Sequence, residues 1–127
     1  MRNLDQLAAQ TAQQIIEDTK SINKTQVDNL LTKALGVLQE NGVYAATLFL
    51  YSRTGPDKEV APAVRASLLR LAADELVGQS EPEDKAETAL SFVTAHITHN
   101  LHTLLLVKQS WEQTLIYARY GAKARET

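Results

Sequence analysis

The chain carries apolar residues at steps of three and four along most of its length, with polar residues between them. This spacing places the apolar side chains on one face of a helix and predicts a series of amphipathic helices. The helices are expected at about 4–19, 26–39, 43–53, 64–77, 86–100 and 103–124. We therefore predict an all-α protein, a compact bundle of five to six helices that forms a single domain over residues 1–127.

The third of these helices differs from the others in its apolar pattern. Gly42 is expected to end the second helix, because glycine adopts the left-handed conformation without a steric penalty. The segment 43–53 then places large apolar residues in every direction around a helix. A helix that is apolar all round is buried, so we predict this helix at the centre of the fold. A buried strand is the alternative for so short a run.

Two segments lack helical spacing and are predicted to be loops, residues 54–62 and 78–87. In the second segment, Ser80 and Glu83 have the spacing of a capping box at the start of the fifth helix. The same segment is crowded with acidic residues, which we interpret as a solvated loop and not as an acid–base pair for catalysis.

Composition narrows the class of protein. The 127 residues are 44% apolar and 22% charged, which is typical of a globular domain. The absence of cysteine excludes disulfides, thiolate metal sites and a cysteine nucleophile. There is no apolar run of about 20 residues that would span a bilayer, and the first ten residues lack the apolar stretch of a signal peptide. These features predict a cytoplasmic protein without a membrane partner.

Three histidines, His96, His99 and His102, are spaced three residues apart. On a continuous helix each step of three turns the side chain by about 60°, so the rings would spread across the solvent side. Zinc sites on one helix favour pairs four residues apart. Surface histidines are therefore favoured over a metal site, with contact to an RNA phosphate or a neighbouring subunit as a third interpretation.

Other signatures of catalysis are absent from the sequence. The chain has no glycine-rich phosphate-binding loop and no nucleophile elbow. We therefore expect no enzymatic activity, no cofactor, no metal and no small-molecule substrate.

The last helix combines two apolar strips. The wider strip is predicted to face the core, and its members are Leu104, Val107, Trp111, Leu115, Ala118 and Ala122. A second, weaker strip holds Leu106, Tyr117 and Ala124. Because a helix with two apolar strips often packs on two sides, these three residues are candidates for a contact between subunits.

Basic residues of this helix have two interpretations. Lys108, Arg119 and Lys123 form a strip that is either a solvated face, with internal pairs such as Lys108–Glu112, or a phosphate-binding surface extended by Arg125. Further candidates for RNA contact are Lys20, Lys24 and Arg53. The net charge of −2 and the low aromatic content of 6% predict a local, sequence-independent contact with the RNA backbone.

Three stretches carry a likeness to a known family: NLDQLAAQTA, VLQENGVYAATLFLYSR and LLLVKQSWEQTLIYARYGAKA. In this order and spacing the chain resembles the small helical subunit of type III-B CRISPR effector complexes, the fifth protein of the Cmr module. Each stretch alone is generic helical sequence, and the specificity lies in their combination. The chain departs from the family pattern at Gln109, at Ile116 or Tyr117, and at the basic pair, which is reduced to Ala118–Arg119.

The resemblance implies a non-catalytic subunit for antiviral defence. Several copies would stack head to tail opposite a filament of backbone subunits that carries the guide RNA (crRNA), with the target RNA between the two filaments. The implied partners are the backbone and large Cmr-type subunits, further copies of the chain, crRNA and target RNA. Two alternatives remain: a helical adaptor or regulator that binds only protein, and the small subunit of another type III or type I CRISPR complex.

Overall fold

Helices joined by short connections make up the computed structural model, which describes residues 3–126. Their bounds are α1 Leu4–Asp18, α2 Lys24–Asn41, α3 Val43–Tyr51, α4 Asp57–Arg70 with a π-helical continuation Leu71–Val77, α5 Ala86–His96 and α6 Leu101–Ala124. No strand occurs within the described range. The predicted all-α class and the predicted number of helices are confirmed.

The ends of the helices follow from local sequence. Asn3, Asn23 and Asn100 precede α1, α2 and α6, and each side-chain oxygen accepts a backbone N–H of the first turn. Asparagine is among the best residues for this role. Gly42 (φ +94°) and Gly78 (φ +67°) end α2 and α4 in conformations that favour glycine, as their positions in the sequence predict.

Helix α6 forms the centre of the bundle. Both α1 and α2 have their most extensive contacts with it. Its predicted core stripe is confirmed, since five of the six residues are buried, Val107, Trp111, Leu115, Ala118 and Ala122, while Leu104 is half-buried against the same core.

The prediction that α3 is apolar and buried on all sides is wrong. Val43, Ala46 and Leu50 are buried against the core, but Tyr44 is 41% and Leu48 is 47% exposed. Helix α3 has only nine residues and contacts α2, α4, α5 and, less extensively, α6, while its opposite face lies in solvent. An apolar pattern cannot show which side of a short helix lacks a neighbour.

Helix α4 begins earlier than the sequence pattern indicates. The predicted loop 54–62 is wrong in its second half, because α4 starts at Asp57 and contains Pro62. Pro62 is the sixth residue of α4, past its first turn, and has no N–H to donate to the carbonyl four residues before it. The Pro62 side chain is exposed.

The predicted capping box is also wrong. Helix α5 begins at Ala86, several residues after Ser80, and its N-cap Lys85 makes no side-chain cap bond. The connection 78–85 is instead attached to α4 by two ion pairs, Arg65–Asp84 at 2.9 Å and Arg70–Glu81 at 3.4 Å.

The last two turns of α4 form a π-helix, Leu71–Val77, whose wider turn bonds each carbonyl to an N–H five residues ahead. Just before it, the Leu68 carbonyl accepts a hydrogen bond of 2.9 Å from Nε1 of Trp111 in the core. The bond joins α4 to α6. Along residues 3–126 no helix combines the length and the apolar character needed to cross a membrane.

Candidate nucleic-acid interface

Five of the seven candidate RNA-binding residues lie together at one end of the bundle. The α1–α2 connection and the last two turns of α6 bring them together across about a hundred residues of sequence. We call this surface the basic end; its members are Lys20, Lys24, Arg119, Lys123 and Arg125.

Arg125, just after α6, joins the two parts of the basic end by hydrogen bonds to the α1–α2 connection. Its guanidinium donates to the backbone carbonyls of Thr19 at 3.3 Å, Lys20 at 2.9 Å and Ile22 at 2.8 Å. In return, Nζ of Lys24 donates to the Arg125 carbonyl at 3.0 Å. These two cations therefore hold the fold together, and their charges remain without a carboxylate partner among the described residues.

Two further cations of the basic end are paired with carboxylates. Nε of Arg119 lies 3.5 Å from Oδ1 of Asp28 on α2, with both side chains partly buried. Nζ of Lys20 lies 2.7 Å from Glu17 in an exposed pair, and this hydrogen bond raises the pKa of Lys20. Lys123 is exposed, and within residues 3–126 the structure gives it no ion-pair partner. Phosphate would compete with Asp28 and Glu17 for two of the five cations.

The other two candidates, Arg53 and Lys108, have partners close to them in the chain. The Arg53 guanidinium stacks 3.8 Å from the ring centre of Phe49, and its Nε donates to the Phe49 carbonyl at 3.0 Å. Lys108 is half-buried on the first half of α6, where it forms the expected pair with Glu112 at 3.7 Å. For Lys108 the solvated, internally paired interpretation fits the geometry.

The histidines occupy three different elements. His96 is the last residue of α5, His99 lies in the turn, and His102 is in the first turn of α6. The predicted break near Asn100 is confirmed, but α5 ends at His96 and not at about residue 100, so the chain already turns before Asn100 caps α6. His99 and His102 are exposed, whereas the His96 ring packs 5.1 Å from that of Phe92. In the described part of the chain, no three His, Cys, Asp or Glu side chains are grouped to hold a metal.

The candidate subunit-contact residues have mixed environments. Tyr117 packs against the core and its hydroxyl donates to Asp5 of α1, so much of its surface is already used. Leu106 is half-buried and Ala124 is exposed. The more exposed apolar side chains of α6 are Leu101 and Tyr120, each at 69%. Sequence analysis missed both, because a pattern of apolar spacing does not separate core from surface.

The sequence analysis also missed a cluster of three residues: Tyr51 at the end of α3, Arg65 on α4 and Asp84 in the connection between α4 and α5. Asp84 accepts hydrogen bonds from the Tyr51 hydroxyl at 2.8 Å and from Nε of Arg65 at 2.9 Å. Arg65 stacks on the Tyr51 ring at 4.3 Å. The Arg65 hydrogen bond lowers the pKa of Asp84, whereas burial and the bond to Asp84 raise that of Tyr51 to about 12.

Comparison with known proteins gives no relative from which a function could be transferred. No family model, no curated protein and no solved structure matches the chain.

Proposed function

We propose that the chain is a non-catalytic small subunit of a type III-B CRISPR-Cas (Cmr) ribonucleoprotein effector. In this role it acts in the cytoplasm, stacks in the minor filament and contacts the backbone of crRNA or target RNA. Support comes from the three stretches that resemble the family and from the all-helical fold. The observation that carries the RNA contact is the basic end, where five cations from distant parts of the chain converge.

The charge arrangement favours a weak contact that depends on assembly. Two cations of the basic end are engaged by Asp28 and Glu17, and the whole chain has a net charge of −2. Each phosphate contact releases counterions, so binding falls as salt rises. The free protein should bind RNA weakly, and a preformed complex should supply the remaining contacts.

The RNA contact is tested by the double variant Arg119→Ala, Lys123→Ala in the assembled complex. Target-RNA affinity should fall, and the slope of log affinity against log salt should become shallower by roughly two, about one for each lost phosphate contact. The matched control is Arg70→Ala, Lys85→Ala, which removes one exposed arginine at the end of α4 and one exposed lysine just before α5. Equal affinity for both variants would remove the basic end from the proposal.

The assembly role is tested by purification of the chain from its own cells, followed by protein identification and RNA extraction. Cmr-type backbone and large subunits, together with crRNA, are the expected partners. Recovery with the subunits of a different type III or type I complex would move the chain to that assembly.

A protein-only adaptor or regulator is the second candidate function. Exposed Leu101 and Leu105, one turn apart on α6, favour it, because large apolar side chains at a surface mark protein contacts when they lie together. Under this alternative the purified complex contains partner proteins and no nucleic acid, and the variants of the basic end leave its assembly unchanged.

A further inference from the structure

A small cleft between the end of α3 and the first half of α4 is separate in its lining from the basic end. It has a volume of about 200 Å³ and is bordered by Tyr51 and by three cations, Arg53, Lys58 and Arg65. The remaining lining residues are apolar, so its described wall contains no carboxylate. We infer that this cleft is a binding site for a phosphate group, independent of the proposed function.

Two of the cations are held in fixed orientations. The guanidinium of Arg53 lies on the Phe49 ring, and that of Arg65 lies on the Tyr51 ring. Each also donates to a carbonyl of α3, from Nε of Arg53 to Phe49 and from Nη1 of Arg65 to Leu50. A guanidinium that is already oriented loses little freedom when it binds a planar or tetrahedral oxyanion.

The cations of the cleft outnumber the carboxylates that neutralise them. Asp84 engages Arg65. Asp57 forms a close ion pair with Lys33, which is outside the cleft, at 2.9 Å. Its distance to Arg53 is longer, 3.9 Å, so the charge of Asp57 is shared between the two cations. Lys58 is exposed, and among the described residues it has no ion-pair partner. An excess of positive charge at a concave surface favours an anion.

The size of the cleft limits the ligand. At about 200 Å³ it is smaller than the roughly 300–1,000 Å³ of pockets that enclose drug-sized molecules. It therefore suits a single phosphate group, and the rest of the ligand would lie outside the cleft. The phosphate can belong to a small molecule, such as a mononucleotide, or to the backbone of an RNA strand.

The test is a titration followed by NMR at constant ionic strength. Inorganic phosphate, AMP and a short RNA are added in turn, with chloride as the reference anion. The amide of Lys58 and the Nε–H groups of Arg53 and Arg65 should shift and saturate with at least one phosphate-bearing probe and not with chloride. Saturation by inorganic phosphate or AMP identifies a small-molecule ligand, and saturation by RNA alone identifies a strand backbone.

Lys58→Gln should weaken this binding roughly tenfold, the range for loss of one charge-assisted hydrogen bond. Because Lys58 is exposed, the variant should fold normally. Lys85→Gln is the matched control, since Lys85 is an exposed lysine whose partner is Glu83 and it lies outside the cleft. The inference is overturned if no probe gives a saturable shift beyond that of chloride, or if both variants weaken binding equally.

Discussion

Asp84 illustrates how one residue in a connection can differ from its expected role. The acidic segment 78–87 was expected to be a solvated loop, yet Asp84 accepts hydrogen bonds from Tyr51 and Arg65. Because the pKa of Asp84 is lowered, its stabilising effect is present above the ordinary carboxyl pKa of 3.8 and is lost as the pH falls below it. More than half of the side chain is exposed, so solvent screening keeps the contribution small.

Tyr51 has the opposite dependence on pH. Its pKa is raised from 10.0 to about 12, so its contribution to stability is present below pH 10 and is lost as the pH rises toward 12. Burial is the largest cause, and the hydrogen bond to Asp84 is the second.

Asp84→Asn should therefore lower the pKa of Tyr51 from about 12, because the carboxylate charge is removed while burial and the neighbouring Arg65 remain. The tyrosine Cζ chemical shift, followed by NMR over alkaline pH, measures this change. Glu83→Gln removes a neighbouring carboxylate that pairs with Lys85, and it should leave the Tyr51 titration unchanged. An unaltered Tyr51 titration in Asp84→Asn would contradict the assigned hydrogen bond.

At the scale of helices, one buried hydrogen bond joins α4 to α6. The Trp111 indole is almost fully buried and donates to the Leu68 carbonyl just before the π-helical segment. The buried indole N–H needs this partner, because an unsatisfied polar group in the core costs free energy, whereas the Leu68 carbonyl also accepts the Leu71 N–H.

Trp111→Phe should lower the free energy of unfolding by about 1–3 kcal/mol, through the lost hydrogen bond, with a further loss from the smaller ring. Urea unfolding measures the difference. Tyr120→Phe is the matched aromatic control, and since Tyr120 is exposed its effect should stay within about 0.5 kcal/mol. Similar values for the two variants would mean that the indole bond contributes nothing.

The sequence predicts the helices better than their surroundings. Apolar spacing and the stop signals at Gly42 and Gly78 identify α2 and the end of α4, since these depend on local backbone preferences. The exposed face of α3 and the early start of α4 depend on which helices lie alongside. The π-helix gives no sequence signal that we recognise.

For the candidate site, the sequence predicted individual basic residues but did not predict that five of them form one surface. Charge and position along the predicted helices singled out Lys20, Lys24, Arg119, Lys123 and Arg125. The sequence did not show that the α1–α2 connection meets the end of α6. The carboxylate partners of Arg119 and Lys20 were likewise invisible, because Asp28 lies about ninety positions from Arg119 and Glu17 has no distinguishing pattern. Long-range contacts of this kind come from packing.

At the scale of the whole molecule, the basic end connects the chain just after the last helix, α6, to the chain just after the first helix, α1. Arg125, just after α6, bonds three carbonyls of the α1–α2 connection. The first and last helices therefore constrain each other directly, in addition to their apolar contact.

Arg125→Met should loosen the α1–α2 connection, because methionine keeps an apolar stem but donates no hydrogen bond. The Ile22 amide, which bonds the Thr19 carbonyl at 2.9 Å, should exchange with solvent roughly tenfold faster. Hydrogen exchange by NMR measures this rate. Lys123→Met, a change of the same kind at an exposed residue, should leave the rate unaltered. Equal rates in both variants would show that Arg125 does not hold this connection.

The π-helical segment Leu71–Val77 also bears on how the length of this chain can vary. A π turn holds more residues than an α turn, so it can lose one exposed residue, such as Asp74, and close into an ordinary α turn. A deletion inside Asp57–Arg70 has no such reserve, because it would rotate every later side chain of α4 by about 100° and take Leu68 away from Trp111. Single-residue length differences should therefore be tolerated in the last turns of α4 and rejected in the turns before them.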